Sequence, residues 1–152
     1  PLHVDTGQGA GLMTANLEKF LPHPTPLSRA YWDACRKHQL LIQHCASCGH
    51  YQFYPRTFCT ACMAREPAWE QAGGFGTVVT WTVVRRPVAE AYAADTPYVI
   101  ALIRLDEGPV MMSQVTGCDT DAVHSGMRVE VTFAAWSEEV TVPVFKPARL
   151  AS

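Results

Sequence analysis

Alternation of apolar and polar positions dominates the second half of the chain. In residues 128–133, Arg-Val-Glu-Val-Thr-Phe, every other side chain is apolar, the period of a half-buried strand. Four more runs rich in β-branched residues accompany it. "GTVVTWTVVRR" covers 76–86, "YVIALIRL" 98–105, "VMMSQVTG" 110–117 and "EVTVPVFKP" 139–147; the alternating run itself extends to 136. Turn signals separate them, notably Asp106-Glu107-Gly108-Pro109 and Ser125-Gly126. Five such strands in sequence, with a short helix at 119–124, predict a small five-stranded barrel of the OB type. An SH3-like barrel or half-sandwich has the same strand count.

The first half has a different period. Leu27, Ala30, Tyr31, Ala34, Cys35 and His38 fall on one helical face, with Arg29, Asp33, Arg36 and Lys37 opposite. Thr25 is placed to cap this helix, and Pro26 suits its first position, where a missing N–H costs nothing. "LLIQHC" then reads as a short strand leading into Cys45. "EPAWEQAGGFG" (66–76) reads as a Gly-rich connector. The expected organisation is a leader at 1–24, a helix and metal ribbon at 25–72, and the barrel with its tail at 73–152. Within the leader, residues 1–12 carry no basic stretch followed by an apolar one, so they do not read as a secretory signal. Met13 offers a natural start, with 1–12 as an added segment.

The chemistry concentrates in "CASCGHYQFYPRTFCTAC" (45–62), two C-x-x-C pairs ten residues apart. Each pair supplies two thiolates from one tight turn, and four thiolates near 2.3 Å satisfy a tetrahedral Zn²⁺. Gly49, directly after Cys48, gives the first turn a backbone freedom that a β-carbon restricts. The spacing predicts a structural zinc site at Cys45, Cys48, Cys59 and Cys62. A rubredoxin-type iron site shares that ligand set. With four sulfurs the shell is closed, leaving no position for a catalytic water. A chain without a secretory signal belongs by default to the reducing cytoplasm, where stable disulfides are rare. Cys35, on the apolar helix face, reads as an inert buried thiol. Cys118, beside Asp119 and Asp121, lacks the positive surroundings of a nucleophile.

Composition narrows the function classes. Forty-eight per cent of the 152 residues are hydrophobic, enough for one ordinary domain or two small ones. Residues 78–145 carry four arginines against nine Asp and Glu, so the barrel is the acidic part. Zinc ribbons and OB barrels also serve nucleic acids, which makes a nucleic-acid-binding module the alternative reading. An acidic barrel lacks the positive groove that single-strand binders use. The expected result is no salt-sensitive binding to single-stranded DNA or RNA in a filter or anisotropy assay. Micromolar affinity that falls steeply with salt would refute the charge argument. Arg56, Arg85 and Arg86 are the basic positions best placed to meet phosphates, against the plainer reading of solvated loop and strand-end charges.

The chain resembles a bacterial and archaeal acyl-CoA-associated family, long listed as of unknown function, with a rubredoxin-like zinc ribbon followed by an OB-fold. The residues that carry the resemblance are "YWDACRKHQLLIQHCASCG", "FYPRTFCTAC", "GGFGTVVTWTVV", "TPYVIALIRLDEGPVMMSQVTG", "SGMRVEVTF" and "VPVFKP", together spanning roughly 28–147. The ribbon spacing is common to many families; its combination with "PYVIALIRLDEG" and "GMRVEV" is far more specific. The resemblance implies a mainly β fold and a small non-catalytic subunit. Its expected partners are thiolase-like enzymes, those of the lipid-transfer-protein type included, that make or break carbon–carbon bonds on CoA thioesters. The reacting Cys and His would then belong to the partner. On this reading Arg56, Arg85 and Arg86 become candidate acyl-CoA contacts. Trp32, Phe53 and Tyr92, the last in the loop 88–97, become candidate partner contacts.

Overall fold

The computed structural model describes residues 19–149; residues 1–18 of the expected leader lie outside them. The helix α1 spans Arg29–Arg36. Its first turn begins earlier, because the Arg29 N–H donates to the Thr25 carbonyl at 2.9 Å. Thr25 and Ser28 cap each other. The Ser28 N–H donates to Thr25 Oγ1 at 3.2 Å and the Thr25 N–H to Ser28 Oγ at 3.0 Å, the reciprocal pattern of a capping box. At the other end His38 takes φ 58°. The His38 N–H donates to Cys35 O and the Gln39 N–H to Ala34 O, both at 3.0 Å, which closes the helix as a Schellman motif. His38 therefore leaves the apolar face expected for it. It is exposed and lies flat on Phe133, ring centroids 5.2 Å apart.

Three strands form the ribbon sheet: β1 (Leu41–His44), β2 (Tyr51–Gln52) and β3 (Ala68–Gln71), in the order β2-β1-β3. The third strand corrects the reading of 66–76 as a plain connector. All four residues of β3 pair with β1, from Leu41↔Gln71 to His44↔Ala68. The strand is short, and Gly73-Gly74 just beyond it dominates the local sequence signal.

The barrel follows as β4 (Phe75–Val84), β5 (Tyr98–Leu105), β6 (Val110–Val115), β7 (Arg128–Ala135) and β8 (Thr141–Pro147). It closes in the order β4-β5-β6-β8-β7, antiparallel except where Val115 of β6 meets Phe145 of β8. This is the five-stranded OB barrel, and the fold is mainly β, as expected. The loop between β4 and β5 carries a 3₁₀ turn at Glu90–Asp95, and Thr120–Ala122 forms another. A kink in β4 shifts its register against β5 between Val78 and Thr80. Ser125 Oγ donates to the Val79 carbonyl there at 2.9 Å.

One core runs through both parts. Tyr31, Cys35, Leu40 and Ile42 from the helix and ribbon join Val78, Ile103, Leu105, Val129 and Phe145 from the barrel. Gly76 shows how tightly β4 sits on β5. A Cβ there would lie 2.8 Å from both the Arg104 carbonyl oxygen and Ile103 Cγ2. Gly76→Ala is therefore expected to cost about 1–3 kcal/mol, on the usual scale for overpacking, read as a lowered urea midpoint. An unchanged midpoint would show that the two strands can part at no cost.

Candidate metal centre and the adjoining groove

Each C-x-x-C pair sits in a knuckle built the same way. The Gly49 N–H donates to the Cys45 carbonyl at 2.7 Å and the Cys45 N–H to His50 O at 2.9 Å. Fourteen positions on, the Met63 N–H donates to the Cys59 carbonyl at 3.0 Å and the Cys59 N–H to Ala64 O at 2.8 Å. Gly49 has φ 74° and Met63 φ 65°. The glycine is visible in the sequence as a turn signal. The methionine is not, because nothing about its side chain announces a left-handed backbone.

The four sulfurs lie within 4.8 Å of one another. Cys45 Sγ and Cys62 Sγ are 3.6 Å apart, as are Cys48 Sγ and Cys59 Sγ. A regular tetrahedron with Zn–S near 2.3 Å has edges of about 3.8 Å, so the thiols present fit the metal. Electrostatics point the same way. Burial pushes the Cys45 thiol up, yet backbone N–H groups at Cys48 and Ser47 and the neighbouring thiols outweigh it and bring it down to about 6. The Cys48 thiol, although it accepts from the His50 N–H, is held up at about 12 by the sulfurs around it. Four thiolates this close need a cation to ionise together. Structural Zn²⁺ fits the site. Cys45 and Cys59 are buried and Cys48 and Cys62 exposed, so the metal lies near the surface at the ribbon tip.

The other two thiols stand apart. Burial raises Cys35 to about 11. Burial and then Asp119 raise Cys118. Neither shift favours a thiolate nucleophile.

Between α1, the end of β2 and the outer face of β5, β6 and β8 lies an apolar groove of about 610 Å³. No charged side chain lines it. Trp32, Phe53 and Tyr92, distant in sequence, all line it, together with Tyr54, Met112 and Trp136. Tyr54 is 55 % exposed and Met112 56 %, so these two present more surface outward than any of the three expected. Trp32 and Phe53 are half-buried, packed against Tyr31.

Tyr92, expected as a partner contact, is buried in its own chain. Its ring meets Trp136 edge-on, and its hydroxyl accepts the Phe20 N–H at 3.2 Å. Lys19 closes the same corner through Asp95 at 2.6 Å. The loop 88–97 is thus folded onto the barrel by its 3₁₀ turn.

The three arginines do not converge. Arg56 lines a smaller cleft of about 270 Å³ with His50 and Thr60, and this cleft shares Phe53 and Tyr54 with the groove. Arg85, just past β4, lies 3.8 Å from Asp121, and Arg86 follows it, exposed. Neither lines either cavity. Two residues that sequence reasoning passed over are Gln43 and Gln52, both buried and hydrogen-bonded to each other.

Comparison with known proteins agrees with this architecture. Residues 32–68 match the family description "ChsH2, rubredoxin-like zinc ribbon domain", and residues 69–134 match "ChsH2, C-terminal OB-fold domain". A DUF35 domain-containing scaffold protein of Pyrococcus furiosus is 37% identical over 108 residues, covering 71% of this chain and 78% of that one. The chain belongs to the DUF35 family.

Another relative is named as an enzyme subunit. The 3-oxo-4,17-pregnadiene-20-carboxyl-CoA hydratase alpha subunit of Mycobacterium tuberculosis is 31% identical over 110 residues, 70% of this chain. This chain spans only 34% of that subunit's length. Among solved structures, a chain of the Ltp2-ChsH2(DUF35) aldolase superposes with a TM-score of 0.76 at 29% identity, covering 84% of this chain and 98% of that one. No helix among the described residues is long and apolar enough to cross a membrane.

Proposed function

We propose that this chain is a non-catalytic, zinc-binding accessory subunit of a thiolase-type acyl-CoA complex that cleaves or forms carbon–carbon bonds on CoA thioesters. The observation that carries the reading is the similarity to a chain of the Ltp2-ChsH2(DUF35) aldolase along 98% of that chain's length. The site geometry supports it. The metal has a full shell of four thiolates and so serves the fold. The chain also presents a large apolar groove lined by Tyr54 and Met112, each more than half exposed, and aromatic and methionine side chains are the kind that anchor interfaces.

In this role the groove and the ribbon face the catalytic subunit, which supplies the reacting groups. Trp32 and Phe53 form the groove floor, and Tyr54 replaces Tyr92 as the leading anchor. Arg56, in the cleft beside the groove, is the arginine best placed to meet a thioester phosphate. Arg85 and Arg86 remain candidates on a separate part of the barrel. The organisation into a ribbon unit at 25–72 and a barrel unit at 73–152 goes with this proposal, as does the cytoplasm as its compartment.

Interface substitutions test the reading. Tyr54→Ala is expected to weaken the complex with the catalytic subunit by about 1–3 kcal/mol, the usual range for an anchoring aromatic. The isolated chain should keep its thermal midpoint, since Tyr54 is half in solvent. Trp32→Ala should weaken the complex too, with some loss of fold stability. Arg56→Ala should lower acyl-CoA affinity in titration calorimetry without dissociating the complex. If Tyr54→Ala and Trp32→Ala both bind the partner with unchanged affinity, the groove is not the docking face.

A further inference from the structure

Gln43 and Gln52 are the only carboxamide or charged side chains in the buried set among the described residues, 2 % and 5 % exposed. A buried carboxamide is costly unless its donors and acceptors are met, and here they are met in a particular direction. The Thr60 N–H donates to Gln52 Oε1 at 2.8 Å, and the Thr60 hydroxyl adds a bond at 3.2 Å. Gln52 Nε2 donates to the Phe58 carbonyl at 3.1 Å and to Gln43 Oε1 at 2.8 Å. Gln43 Oε1 also accepts the Arg56 N–H at 2.8 Å, and Gln43 Nε2 donates to the Arg56 carbonyl at 2.9 Å. Gln43 thus treats Arg56 as a neighbouring strand would, holding both its backbone groups with one side chain.

These bonds form a line. Thr60 lies inside the second knuckle, between Cys59 and Cys62. Arg56 directly follows Phe53, Tyr54 and Pro55, which line the groove. We propose that the Gln43–Gln52 pair couples the metal centre to the groove, so that the wall at 53–55 is held in place only while the four thiolates are gathered on the metal. Gln52 is the end of the link that grips the knuckle, and Gln43 the end that grips the wall. The two glutamines are positioning residues: neither touches the metal, and neither lines the groove. Coupling of this kind is reciprocal, so loosening the link also weakens metal binding.

The same chemistry explains why glutamine occupies both places. The segment 53–56 turns away from β2 ahead of the Phe58↔Arg65 bridge, so its backbone groups need side-chain partners. An apolar residue at either position would leave the Arg56 N–H and carbonyl, or the Thr60 N–H, without the side-chain partner it has here.

Amide hydrogen exchange on the full zinc-loaded chain tests the coupling without any partner or thioester. In Gln43→Leu, with metal still at one per chain, the Arg56 amide is expected to exchange at least tenfold faster while the Thr60 amide keeps its protection. In Gln52→Leu both amides should accelerate, and a competing chelator should strip the metal at a concentration at least tenfold lower. The wild-type chain stripped of metal serves should either variant fail to fold: Thr60 and Arg56 should then open together while the barrel amides of Ile103 and Leu105 stay protected. The proposal is overturned if Arg56 stays protected in Gln43→Leu or in the stripped wild type. It is also overturned if Gln52→Leu holds its metal as tightly as the wild type.

Discussion

Stripping the metal is expected to unfold the ribbon while the barrel persists. The ribbon sheet has three short strands, one of them two residues long, and two adjacent two-residue or four-residue strands do not hold by themselves. Apparent binding free energies of structural zinc are on the order of 10–16 kcal/mol, more than the whole stability of many domains. Cys59→Ser is the sharpest single change, because that sulfur is 0 % exposed and three thiolates leave the shell open. Elemental analysis should find the metal lost, and amide exchange should show residues 41–71 open well before Ile103 and Leu105. A Cys59→Ser protein with unchanged metal content and stability would contradict the zinc assignment outright.

The second large effect is expected at the centre of the barrel. Phe145 is fully buried and is the one residue of β8 that pairs with β6 and with β7 at once, opposite Val115 and Val131. Its backbone carbonyl accepts the Thr116 N–H at 2.7 Å, which closes the barrel at that seam. Phe145→Ala removes the largest fully buried side chain and leaves a cavity, at a cost of about 3–5 kcal/mol. At roughly 2–4 °C per kcal/mol for a chain of this size, the thermal midpoint should fall by about 6–20 °C. Metal content should stay at one per chain. A loss under about 1 kcal/mol would mean that the barrel is not packed as described.

The metal site was legible because its signal is local. Two cysteines in each tight turn, correctly spaced, specify a ligand set whatever surrounds them. The barrel strands were legible because the alternation in 128–133 and the β-branched runs repeat one physical demand, a pleated half-buried surface. What escaped reading depends on partners distant in sequence. Ala68–Gln71 is too short to show a period, and becomes a strand only because β1 lies beside it. Gln43 and Gln52 carry no local signal, since nothing near them in sequence shows that the turn at 53–56 will fold over them. Tyr92 shows in the sequence only as an aromatic in the loop 88–97, and its burial follows from Phe20 and Trp136 closing around it. His38 fits the helical period by spacing alone, yet the Schellman turn takes it off the face. The groove is the clearest case: Trp32, Tyr54, Met112 and Trp136 come from four separate stretches of the chain, and only the closed barrel and the capped helix bring them together.

The central claim is that this chain works as a subunit and leaves the chemistry to a partner. The direct measurement is coexpression with the thiolase-like protein from its native host, followed by size-exclusion chromatography and an acyl-CoA cleavage assay on each fraction. A standard stable interface buries about 1,600 Å² in total, so the pair should survive the column. The account predicts one co-eluting complex, with turnover in that complex and none in this chain alone. Separate elution, with the thiolase-like protein fully active by itself, would contradict it.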